Sequence, residues 1–93
     1  MNQVPSGADL RQKKTAPASE AYLEGVKEYL DTKKTCSQHP IFYIAHYLET
    51  GTYGHYQRFT DAMTIFGYDI IELQNYRAAG KTGLDIAREI VSR

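Results

Sequence analysis

The residues Gly80-Lys81-Thr82 invite phosphate chemistry, because Gly-Lys-Thr is how a P-loop closes on a nucleotide. In such a loop successive backbone N–H groups cradle the phosphates, the lysine reaches the outer ones and the threonine hydroxyl meets a metal ion. The pattern asks for a glycine five residues before Gly80, and Asn75 stands there. Asn tolerates a left-handed backbone, and Asp69-Ile70-Ile71-Glu72-Leu73 just upstream could supply the strand. Between Gly80 and Arg93, however, the sequence leaves no room for a parallel sheet or for the second acidic strand that would hold the metal. A local reading accounts for the same residues. Thr82 is placed to cap a helix with Asp85 reciprocating, Gly80 makes the turn into the cap, and Leu84, Ile86, Ala87, Ile90 and Val91 follow at helical spacing. No nucleotide or other cofactor is expected.

Cys36, His39, His46 and His55 are the other residues able to do chemistry, since thiolate and imidazole bind zinc. Their spacing fits no standard zinc pattern, so no metal is expected. A Cys36 nucleophile with His39 as base would sit in one short loop, without a rigid pocket or an oxyanion donor. Glu24, Glu28 and Asp31 read as the solvated face of a helix. The chain is therefore read as non-catalytic.

Composition narrows the partner. Eleven basic residues balance eleven acidic ones in 93, so neither a nucleic acid nor a membrane is the expected partner. The basic cluster Arg11, Lys13 and Lys14 reads as a solvated tail. A single cysteine excludes an internal disulfide framework and fits a reducing compartment. No apolar run reaches membrane-spanning length, and the first residues lack the apolar centre of a secretory signal, so an intracellular, cytoplasmic protein is expected. Eight tyrosines and no tryptophan stand out. Tyrosine buries a large ring yet keeps a hydroxyl that can stay wet, which suits recognition of another protein.

The elements that must position these residues read as helices. Residues 1–17, with Pro5, Gly7 and Pro17 and no periodicity, read as a flexible tail, and residues 18–93 as one helical domain. Ser19 suits a cap for a first helix whose apolar face is Tyr22, Leu23, Val26, Tyr29 and Leu30. Gly25 in its middle would allow a close approach. Pro40 opens a second helix, with Ile41, Ile44, Ala45 and Leu48 at the i, i+3, i+4, i+7 spacing of a core face and Gly51 as its stop. Phe59, Ala62, Met63 and Phe66 repeat that spacing in a third helix from about His55, ended by Gly67. The stretch from Tyr68 to Ala79 reads as a loop with a buried apolar plug, and the capped helix from Thr82 is the fourth. The expectation is an all-α protein of four short helices stacked as antiparallel hairpins.

Two families resemble parts of this order. Gly80-Lys81-Thr82-Gly83-Leu84-Asp85-Ile86-Ala87 is similar to the opening of an ankyrin repeat, and His39-Pro40-Ile41-Phe42-Tyr43-Ile44-Ala45 to the same opening one unit earlier. The likeness spans Pro40 to Ile90, with a step longer than the ankyrin period of about 33 residues. It implies a helical-repeat adaptor whose contact surface lies at the turn tips and inner helix face, on Tyr43, Tyr47, Tyr53, His55, Tyr56 and Tyr76. From Tyr22 to Leu48 the chain also resembles the dimerisation/docking hairpin of protein kinase A regulatory subunits and related ciliary scaffold proteins. That likeness implies a homodimeric four-helix bundle, built on Val26, Leu30, Ile41, Ile44 and Leu48, gripping an amphipathic helix. A protein-protein interaction module or a small accessory subunit of a larger assembly is the expected function. A phage-type inhibitor of a host enzyme fits the same composition.

Overall fold

The structure, a computed structural model, describes residues 20–93, and the expected tail and the Ser19 cap lie outside the described residues. Five α-helices follow in order: α1 Glu20–Thr32, α2 Ile41–Thr50, α3 Tyr56–Phe66, α4 Ile70–Ala78 and α5 Gly83–Val91. The domain is all-α, with no strand among the described residues. Its helix boundaries sit where local chemistry puts them. Gly51 and Gly67 close α2 and α3 in the left-handed conformation, at φ 75° and 80°, each returning its N–H to a carbonyl of the last turn. Thr82 and Asp85 form the reciprocal capping box at the start of α5.

Helix α4 corrects the expected loop and raises the count from four to five. Asp69 caps it by accepting from the Glu72 N–H at 2.8 Å, while Glu72 in the first turn and Arg77 in the last suit the helix dipole. Its buried contribution is narrow, Leu73 completely and Ile70 and Tyr76 in part. Ile70 and Leu73 are three residues apart, but Ile71 between them is 61% exposed, which blurs the helical spacing across nine residues.

Helix α2 lies at the centre, in contact with all four others, and α5 returns to pack along both α1 and α2. The core is drawn from every helix: Val26, Ile41, Ile44, Phe59, Phe66, Leu73, Ile86 and Ile90 are all essentially inaccessible. Gly83 sets the α5 crossing. A Cβ there would overlap the Cβ of Ala45 and the hydroxyl of Tyr29, so only a hydrogen lets α5 sit this close to α1 and α2. Against Gly25 the close neighbour is the ring of His39 in the loop before α2. Of the residues named for a dimerisation/docking bundle, Val26, Ile41, Ile44 and Leu48 are buried and Leu30 is half-buried.

Candidate interaction surface

The link from α2 to α3 is held by short side chains. Thr50 donates its hydroxyl to the His46 carbonyl at 2.8 Å and receives the Thr52 N–H at 3.1 Å, while the Thr52 hydroxyl meets His46 Nε2 at 3.1 Å. These bonds bend the chain so that Tyr53 falls back onto α2. Its ring lies parallel to Tyr47 at 5.7 Å and 15°, tilts over Phe59 at 4.9 Å, and meets Tyr56 edge-on at 5.2 Å. Such offset and edge geometries suit the quadrupoles of aromatic rings. Tyr47 and Phe59 are buried and form the floor, whereas Tyr53 and Tyr56 remain 37% and 63% exposed.

His55 joins this tip to α3. Its Nδ1 accepts the Arg58 N–H at 3.3 Å, which makes it the N-cap of the helix, and its ring meets the edge of Tyr43 at 6.4 Å. Tyr43 is buried, and its hydroxyl donates to the Ser37 carbonyl at 3.3 Å. Of the six residues expected to touch a partner, Tyr43, Tyr47, Tyr53, His55 and Tyr56 thus come together, but only Tyr53, His55 and Tyr56 face outward. Reasoning from sequence missed the supports: Phe59 beneath the rings and the Thr50/Thr52/His46 bracket. Two threonines flanking Gly51 are the local signal that could have found the bracket.

Tyr76 lies apart, in a second tyrosine cluster. Tyr68 and Tyr76 meet edge-on at 6.1 Å, and both hydroxyls donate to Glu89 of α5, Tyr68 to Oε1 and Tyr76 to Oε2. Burial, and then the bond to Glu89, push the Tyr68 phenol far above the usual tyrosine range. The Arg93 guanidinium sits 5.0 Å over the Tyr68 ring and donates to the Phe66 carbonyl at 2.6 Å. Tyr68 is accordingly a fixed hydrogen-bond donor, unsuited to act as a base.

A cleft of about 510 Å³ adjoins this cluster, lined by Tyr76, Lys81, Asp85, Arg88, Glu89 and Ser92. Its carboxylates are already engaged, Glu89 by the tyrosines and Asp85 by the capping box and Arg88. The Thr82 backbone N–H, followed by Arg88, holds the Asp85 carboxyl below its ordinary range. The residues that suggested a phosphate loop are occupied too. The N–H groups of Gly80 and Lys81 bond to the Arg77 and Tyr76 carbonyls at 3.0 and 2.9 Å, closing α4, and the Thr82 N–H goes to Asp85 at 2.9 Å. A helix precedes them in place of a strand. The backbone donors that would cradle a phosphate are spent on the chain itself.

Cys36 is exposed, and among the described residues no three His, Cys, Asp or Glu side chains gather where a metal ion could be held. No helix among them is long and apolar enough to cross a membrane. The chain matches no protein-family model, no curated protein and no solved structure.

Proposed function

We propose that the protein is a non-catalytic protein-protein interaction module that meets its partner through the Tyr53/Tyr56 tip of the α2/α3 hairpin. The observation that carries this reading is the pair of exposed phenol rings, Tyr53 seated on a buried floor of Tyr47 and Phe59 and Tyr56 edge-on against Tyr53. Exposed rings already fixed by packing lose little freedom on binding, which is why tyrosine anchors so many interfaces. His55, between the two, contributes an imidazole at the same edge. Placed at the turn of a helix hairpin, this surface plays the part that turn tips play in ankyrin-type adaptors. It serves equally an accessory subunit of an intracellular assembly or an inhibitor that covers another protein's site.

A photo-crosslinking side chain incorporated at Tyr56 in the native cell tests the reading. A discrete protein adduct is expected, lost when Tyr53→Ala is added and absent when the crosslinker sits instead at Ile71, an equally exposed position on α4. Equal labelling from the two positions, or none from Tyr56, rejects it.

A further inference from the structure

We propose that His55 makes the order of the Tyr53/Tyr56 tip depend on pH, acting as an N-cap that holds only while its imidazole is neutral. Among the described residues three helices carry side-chain N-caps, and the two besides α3 use Asp69 and Thr82. A carboxylate accepts hydrogen bonds at every pH above about 4, and a hydroxyl accepts throughout. Imidazole differs, because it accepts only through an unprotonated nitrogen. The Arg58 N–H is the donor, so the proton of the neutral ring stands on Nε2 and Nδ1 is the acceptor.

Histidine side chains change charge between about pH 5 and pH 8. Once Nδ1 is protonated it presents an N–H to an N–H, and the cap is lost. The new charge also lies at the positive end of the α3 dipole, with the Arg58 guanidinium in the same first turn. Little opposes this. From α2 the Tyr43 phenol faces His55 and the His46 ring lies against the neighbouring Gly54, and none of the ion pairs among the described residues includes His55. Beyond Arg58, Asp61 of α3 and Tyr22 of α1 line one small cleft with Tyr43, and the Asp61 carboxylate accepts from Gln57 at 3.1 Å.

The chain passes the effect directly to the tip. Tyr56 is the first helical residue after the cap, the His55 carbonyl accepts the Phe59 N–H at 2.9 Å, and the His55 N–H returns to the Tyr53 carbonyl at 2.7 Å. Fraying of this turn takes the Tyr56 ring off Tyr53 and loosens Tyr53 on its floor of Tyr47 and Phe59. The local switch stands by itself. Its regulation of partner binding rests on the function proposed above.

Nuclear magnetic resonance of the free, full-length protein separates the two. Between about pH 8 and about pH 5 the protection of the Arg58 amide, corrected for the intrinsic effect of pH on exchange, should fall roughly fivefold. Cross-relaxation between the Tyr53 and Tyr56 rings should fade with it. His55→Asp should keep both signals across this range, and His55→Ala should lack them throughout. Wild-type protection that stays constant overturns the proposal, as does a fall that persists in His55→Asp, which would place the sensor elsewhere. No partner enters the measurement, so a failed crosslink at Tyr56 would leave its result standing.

Discussion

The protein has two tyrosine clusters that use the same side chain in opposite ways. At the α2/α3 tip, Tyr53 and Tyr56 lie ring against ring, and what holds them is the packing of Tyr53 on Tyr47 and Phe59. At the α4/α5 side, Tyr68 and Tyr76 are tied by their hydroxyls to one carboxylate, Glu89, with Arg93 over the Tyr68 ring. Phenol rings are exposed in the first cluster, whereas in the second a phenol is buried to 5% and its proton is locked. A tyrosine whose hydroxyl is spent inside the fold has little left to offer a partner. One whose ring is braced and whose edge faces water has most of its contact area in reserve.

The largest effect should come from removing the floor of the tip. Phe59 is completely buried, so Phe59→Ala should cost roughly 3–5 kcal/mol of stability in urea unfolding and collapse the ring contacts of Tyr53. A loss below about 1 kcal/mol would mean that the tip is not built on the core. Next comes the exchange of ring for hydroxyl. Tyr68→Phe should destabilise by about 1–2 kcal/mol, because it strips a donor from a carboxylate and leaves the ring in place. At the tip Tyr53→Phe should stay within about 0.5 kcal/mol. Equal costs at the two positions would erase the contrast.

The smallest effect is spectroscopic. Tyr68 has its folded-state pKa raised, so the stability it contributes is complete below the ordinary tyrosine value of about 10 and is lost as pH climbs above it. In ultraviolet titration of the folded protein the Tyr68 phenol should resist ionisation well past pH ~10 and outlast Tyr29, which burial also raises, and Tyr68→Phe should remove that last step. A titration in which Tyr68→Phe removes only an ordinary phenol would show that neither burial nor Glu89 holds the Tyr68 proton.

Legibility in the sequence divides along physical lines. Stops at Gly51 and Gly67, the Thr82/Asp85 box and the stripe Ile41, Ile44, Ala45, Leu48 could be read directly, because caps and periodicity depend on residues within a turn or two of each other. Helix α4 escaped, since it buries only Leu73 fully, with Ile70 and Tyr76 in part, and the exposed Ile71 makes its apolar spacing resemble a plug. Asp69 followed by Glu72 was the cap signal that marked it. The candidate surface was half legible. Tyrosine abundance pointed to aromatic contact, but nothing local told Tyr43 and Tyr47, which sank into the core, from Tyr53 and Tyr56, which stayed out.

The sequence by itself determined that this chain is helical, where most of its helices stop, and that Gly80-Lys81-Thr82 opens a capped helix, because those outcomes rest on backbone hydrogen bonds closed within a few residues. Only the tertiary structure decided which tyrosines face outward and that Tyr76 belongs with Glu89. Helix α5 must first cross α1 and α2 at Gly83, and the hairpin must first fold Tyr53 onto α2. Burial is a property of neighbours brought from far along the chain, and no local spacing contains it.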